Sequence, residues 1–238
     1  MLIDELKNIA RNNGIVGAGG AGFPAYAKMT EKADTVILNC VECEPLLKLH
    51  RQLLATHTEE IIQMLDEVRE SFGAKEAVIG IKSEYVTTIK AIEEVIGDFP
   101  NVRICALKAA YPMGDEVVLI YEATGRVIKP GGLPIDENVV VYNVETMYNL
   151  YRAVHLNIPV TNKLVSIVGE IDHPLTVRVP LGTTVKEAIS LAGKITVEDP
   201  AYVMGGPMMG RLGTENTVIT KTTNAIIILP KDLSLIHI

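Results

Sequence analysis

The stretch Gly14–Pro24, GIVGAGGAGFP, decides how the first half of the chain is read. Gly17, Gly19 and Gly22 satisfy the G-x-G-x-x-G spacing of a dinucleotide-binding loop, and Glu42 falls about twenty positions further on, where that fingerprint asks for an acid. Such a loop needs a strand before its first glycine and a helix opening at its last. Neither condition is met. Leu2, Ile3, Leu6, Ile9 and Ala10 recur at helical spacing before the loop, Asn13-Gly14 reads as a helix stop, and Pro24 follows Gly22 closely. A tight turn between helices is the competing explanation. Gly17, Gly19, Gly20 and Gly22 together exceed what one turn needs, and their density suits a large flat ligand lying against bare main chain.

Beyond the loop the pattern alternates. DTVILN, EAVIGI, VRICAL and NVVVYN read as strands. Between them, one long helix is predicted from Pro45 to near Gly73, with further helices in EYVTTIKAIEEVIG, VVLIYEATG and VETMYNLYRAVH. The fold class is α/β, with a mostly parallel sheet and helices on its faces. Ligands gather beyond the carboxyl ends of such strands, which is where NCVECEP, YPMGDE and YNVET fall. The pattern changes after NIPVTNK. LVSIVGEI and LTVRVPLG predict two strands around Asp172-His173-Pro174, TTVKEAISLAG a helix capped by Thr, and AYVMGGPMMG a strand and turn. This is a small β-grasp-like module, so the domains are expected at 1–160 and 161–232. The last residues, 233–238, lack turn or cap logic, match the translation of a sequencing-library adaptor, and are set aside as an artefactual tail on a truncated gene.

Composition narrows the function. With 22 Lys and Arg against 29 Asp and Glu, the net charge of −7 argues against general affinity for nucleic acid or anionic membrane. No apolar run reaches the roughly 18 residues that span a bilayer, and the acidic N-terminus has no signal core, so a cytoplasmic location is expected. Three cysteines, an odd number, do not suggest a secreted disulfide framework. With no tryptophan, a bound ring must rest on Phe, Tyr, aliphatic groups or backbone.

GAGGAGFPAYAK, LNCVECEP, YPMGDE, NVET and GGPMMG, in that order and spacing over roughly residues 8–228, resemble the RnfC family, relatives of the 51-kDa flavoprotein subunit of complex I. ECEPLLKLHRQLL is most similar to the branch holding the proline-reductase-associated protein PrdC and the cobalamin reductases. The resemblance implies an FMN-binding, NADH-oxidising domain followed by a β-grasp module of the SLBB type. It implies that Gly17, Gly19 and Gly20 face the flavin, that Lys28 pairs its phosphate, and that Asn39, Glu42, Gly114, Asp115 and Asn143 contact it. Phe23, Glu44 and Glu116 would hold NADH above the ring. Val41 stands where the complex I subunits carry an aspartate, and Ala18 where they carry an arginine, so those two contacts are missing.

The residue types suit these roles. Hydride transfer to a flavin asks for stacking and orientation rather than a protein acid or base. A lysine offsets phosphate charge, and carboxylates accept from ribose hydroxyls. Taken alone, Lys28 reads equally as a solvated surface lysine, Glu42, Glu44 and Glu116 as solvated turn carboxylates, and Phe23 as a core residue. Cys40 and Cys43 form a C-x-x-C, which leaves redox chemistry open, but zinc would need a second pair. Cys105 lies in an apolar strand, and His50, His57, His155 and His173 are scattered, read as surface or packing residues, so no metal site is expected.

RnfC-type proteins continue into a ferredoxin-like region with 4Fe-4S clusters, expected here only beyond the C-terminal end. The implied activity is NADH-dependent flavin oxidoreduction, passing electrons to other electron-transfer subunits. The acceptor would be an Rnf-type complex, which would place the protein at the inner face of the membrane, or a proline reductase or cobalamin enzyme. The alternatives are a non-catalytic redox-complex adaptor and a cobalamin reductase-type flavoprotein.

Overall fold

The apolar periodicity of the N-terminal residues becomes helix α1 (Ile3–Asn12), with Asp4 and Glu5 in its first turn and Arg11 in its last, each at the favourable end of the helix dipole. In the computed structural model, which describes residues 1–234, the following elements are β1 (Thr35–Cys40), α2 (Leu49–Thr56), α3 (Thr58–Phe72), β2 (Glu76–Lys82), α4 (Val86–Val95), β3 (Val102–Leu107), α5 (Glu116–Thr124), β4 (Val139–Asn143) and α6 (Val144–His155). After them come β5 (Asn162–Gly169), β6 (Leu175–Pro180), α7 (Val185–Ser190), β7 (Pro200–Met204), β8 (Arg211–Gly213), β9 (Ala225–Pro230) and α8 (Lys231–Ser234). Part of the tail set aside above, residues 235–238, lies outside the described residues.

The chain forms two compact units. The first takes residues 1–17, 23–43 and 50–159, and the second takes 18–22, 44–49 and the chain from Val160. In the first, four strands pair in parallel in the order β3-β2-β1-β4. β1 and β2 are buried almost throughout, as strands covered on both faces must be. α5 covers one face, with Leu119, Ile120 and Ala123 packed on Ile37, Val78, Val139 and Val141, and α3 and α6 pack together and against the other. From β1 the chain adds β2 and β3 on one side, then returns across the sheet to place β4 on the other. Such a reversal is where open α/β sheets place a ligand crevice, here beyond the carboxyl ends of β1 and β4.

The long helix predicted from Pro45 is two helices with an irregular lead-in. Leu46 has φ +68°, and His57 (φ −130°, ψ 43°) interrupts the run. The His57 ring stacks on Tyr148 at 4.3 Å between centroids, and the Thr58 hydroxyl donates to Leu54 O at 2.7 Å. Tertiary packing thus overrides helical periodicity at this one position.

In the second unit five strands pair in the order β6-β5-β9-β7-β8, with only β5 and β9 parallel. α7 lies on one face through Val185, Ala188 and Ile189. Thr184 caps it in a reciprocal box, its hydroxyl accepting from Glu187 N at 3.2 Å while Thr184 N donates to Glu187 Oε2 at 2.8 Å. The central strand β9 is included in none of the expectations above.

At the amino edge of the parallel sheet, Arg126 grips Asp34 with both terminal guanidinium nitrogens (2.6 and 3.1 Å) and donates to Glu137 O at 2.8 Å, tying the entries to β1 and β4. Burial pushes the Asp34 carboxyl up, but the Arg126 and Thr35 hydrogen bonds and the charges of Arg126 and Lys75 outweigh it, leaving the pKa lowered. A depressed carboxyl contributes stability that is present above its unfolded value, about 3.9, and is lost as pH falls through its folded value. Arg126→Ala is expected to cost about 1 kcal/mol at neutral pH, discounted for the partial exposure of both partners. In urea unfolding the gap from wild type should narrow as pH falls from about 5 to about 3.

Candidate functional site

Asn39, next to last in β1, and Asn143, last in β4, sit opposite one another in register at the carboxyl edge. Asn39 turns the chain after β1, its Oδ1 accepting from Val41 N at 3.0 Å, while its Nδ2 donates to Gly114 O at 3.0 Å. Gly114 N donates to Cys43 Sγ at 3.2 Å. A Cβ on Gly114 would overlap the Val41 carbonyl oxygen and stand 2.7 Å from Cys43 Sγ, so only glycine fits there. Asp115 caps α5, accepting from Val117 N and Val118 N at 3.0 and 3.2 Å, and Asn143 caps α6, accepting from Glu145 N at 2.9 Å. NCVECEP, YPMGDE and YNVET therefore meet at one edge, tied by their own polar groups.

Around this frame stand the charged residues. Lys28, at the end of a short 3₁₀ turn, lies 3.2 Å from Glu116 Oε1 and donates to Val141 O at 3.3 Å. Its side chain is 34% exposed and that of Glu116 40%, so the pair faces solvent. Glu42 and His50 are far more enclosed, 11% and 8% exposed, with Oε2 and Nδ1 3.0 Å apart, an ion-pair contact off the line of an ideal hydrogen bond. Asn143 Nδ2 lies 3.3 Å from His50 Nε2. His50, read above as a surface or packing residue, is packed beside two of the candidate site residues, Glu42 and Asn143. The irregular segment between it and Glu42 hides the pairing from any spacing rule. Gly17 and Phe23 meet at the base of the glycine loop, where Gly17 N donates to Phe23 O at 2.7 Å, and the Phe23 ring is exposed rather than in the core.

The C-x-x-C pair is divided in role. Cys40 is buried, and burial together with the nearby Glu42 charge pushes its thiol well above the usual range, which suppresses thiolate chemistry. Cys43 serves as the acceptor for Gly114 N.

Gly19, Gly20 and Glu44 belong to the second unit. Gly20 has φ +124°, a conformation that side chains rarely adopt. Glu44 accepts from Met208 N and Met209 N, each at 2.8 Å, one on each carboxylate oxygen, and Gly206 leaves room for it where any Cβ would overlap the carboxylate. GGPMMG is therefore the turn that receives Glu44, a role that its sequence does not announce.

A parallel sheet with its strand-order reversal at β1/β4, followed by a mixed sheet in a second unit, defines a two-part α/β architecture. The chain belongs to the family described as the Nuo51 FMN-binding domain, matched over residues 10–152, and carries an SLBB domain over 164–212. It is 41% identical over 235 residues to the cobalamin reductase PduS of Salmonella typhimurium, covering 98% of this chain and 52% of that protein. It is 32% identical over 235 residues to a component of the Na(+)-translocating ferredoxin:NAD(+) oxidoreductase complex of Acetobacterium woodii, covering 96% of this chain and 53% of that one. The RnfC-family resemblance is borne out by these relatives, of which the chain spans about half the length. The fold also matches a chain of an NAD+-reducing NiFe-hydrogenase, with a TM-score of 0.76 at 20% identity over 96% of this chain and 47% of the other.

Gly114→Ala should destabilise the first unit by about 1–3 kcal/mol, the usual cost of forcing a methyl group into a filled space, measured by denaturant unfolding. Glu44→Ala should speed hydrogen exchange at the Met208 and Met209 amides on the order of tenfold, since each loses a charge-assisted hydrogen bond.

Proposed function

We propose that this chain is the flavin module of an electron-transfer oxidoreductase, taking hydride from NADH and releasing electrons to iron–sulfur carriers. The observation that carries the reading is the meeting of Asn39, Glu42, Gly114, Asp115 and Asn143 at the β1/β4 crevice of an FMN-binding family fold. The donor set fits the cofactor. Lys28 is the cation for its phosphate, the Asn39 and Asn143 amides and the Glu42 carboxylate are polar partners for its ring and ribityl chain, and Gly17 offers bare backbone. Bound FMN would supply hydride acceptance and single-electron release.

The residues do the rest by binding and orientation. Lys28 and Glu116 neutralise one another in the ligand-free chain, so a phosphate taken up by Lys28 frees the Glu116 carboxylate to accept from nucleotide ribose hydroxyls. The exposed Phe23 ring is a platform for the nicotinamide. None of the described helices is long and apolar enough to cross a membrane.

A second reading concerns the acceptor. The higher identity to cobalamin reductase than to the component of the ion-translocating complex, 41% against 32%, favours a corrinoid as the eventual destination of the electrons.

Anaerobic titration of the FMN-loaded chain with NADH should bleach the flavin band near ~450 nm. Lys28→Ala should weaken FMN binding on the order of tenfold. Glu116→Gln should raise the KM for NADH while leaving FMN bound. A chain that neither binds FMN nor bleaches overturns the proposal.

A further inference from the structure

The second unit holds a polar arrangement that no step of the proposed reaction uses. The turn after β7 runs Gly206-Pro207-Met208-Met209-Gly210. Gly210 N donates to Gly206 O at 2.8 Å and closes the turn, while Gly205 N donates to Ala225 O at 2.8 Å and ties it to β9. Pro207 has no N–H, so the turn is left with two donors, Met208 N and Met209 N. Both meet one carboxylate at 2.8 Å, one on each Glu44 oxygen. A Cβ on Gly210 would overlap Gly206 O, and the three atoms nearest a Cβ on Gly206 all belong to Glu44. The turn's own bonds and its bare glycines thus build the concavity, and successive amides of this kind bind anions.

Glu44 reaches the turn from a strap, Glu44–Leu49, that is anchored at two points. Glu44 is clasped by the turn, and Leu47 is buried against Ala225 and Ile227 of β9. Leu46, between the anchors, is 56% exposed and has φ +68°. A leucine gains nothing from a left-handed backbone, so the closed strap carries local strain. The segments that meet here also carry Lys48 and Arg211, both exposed, and neither forms an ion pair among the described residues. A strained internal carboxylate, with unpaired cations on both segments, suits exchange for another oxyanion.

We propose that the 206–210 turn is an oxyanion receptor, plugged by Glu44 and open to the carboxylate or phosphate group of an incoming ligand. The shared chemistry is a pair of anionic oxygens that take one amide each. Seating such a group frees the Glu44 carboxylate, and a ligand that draws Glu44 away opens the receptor to the same extent. Neither the receptor nor its test depends on the flavin reading.

The test is NMR titration of the full chain, labelled in its amide nitrogens, with phosphate and with acetate, against chloride at matched ionic strength and constant pH. In Glu44→Ala, the Met208 and Met209 amides should shift together along one saturating curve for phosphate, acetate or both, and not for chloride. The arm that saturates names the ligand class. In wild type the same shifts should need on the order of tenfold more anion, because Glu44 competes from within the chain. Gly206→Ala added to Glu44→Ala should abolish the response, since its methyl group takes the place of the carboxylate. A folded Glu44→Ala chain whose two amides answer neither anion, or answer chloride equally, overturns the receptor. So does a folded double variant that binds as well as the single one. A wild-type chain that never responds overturns the exchange.

Discussion

A missing side chain at Gly114 sets the geometry of the carboxyl edge. The loop after β1 and the loop before α5 approach so closely that a Cβ there would overlap the Val41 carbonyl oxygen. That contact is backbone against backbone, so no change of rotamer could relieve it. Everything nearby depends on it. The Gly114 carbonyl receives Asn39, its N–H finds Cys43, Asp115 next in sequence caps α5, and Glu116 comes within 3.2 Å of Lys28. Small shifts at Gly114 would move both the capped helix and the charged pair.

The strands of the parallel sheet are legible because each is a short apolar run between turn residues, and burial on both faces makes that run nearly continuous. Their order is less legible. Nothing local in NVVVYN says that it lies beside β1 rather than β3, because that pairing is decided by how α5 recrosses the sheet. β9 shows the same limit more sharply. AIIIL is a brief apolar run near the end of the sequence, yet it is buried at four successive positions because it lies between β5 and β7. Centrality in a sheet is a property of partners that sequence patterns do not name.

The site divides along similar lines. Asn39, Gly114, Asp115 and Asn143 stand out through motifs, and each also has a structural duty as a turn former, close-packing position or helix cap. Asn, Asp and Gly are the types that such duties select, so the motif records architecture as much as ligand contact. His50 and the partner of Glu44 are not legible. The segment that joins Glu42 to α2 is irregular, with Leu46 at positive φ, and helical or strand spacing predicts nothing across it. Glu44 finds its donors more than 160 residues away in Met208 and Met209, a pairing that no local pattern signals.

The Lys28–Glu116 and Glu42–His50 contacts differ in how firmly they are held, and the difference suits ligand binding. Lys28 and Glu116 are partly exposed, and such a pair is worth about 0–1 kcal/mol, so a doubly charged phosphate can take the lysine at little cost. Glu42 and His50 are enclosed, so the Glu42 carboxylate has little room to leave its place beside the ring. Asp115 already occupies two amides in the first turn of α5, which limits what that helix end offers an anion. Under the proposed function, anion uptake rearranges the outer pair while the inner pair keeps its geometry. The order of events then follows from burial alone: phosphate binding at Lys28 releases Glu116 for the nucleotide, and the enclosed carboxylate stays where β1 places it.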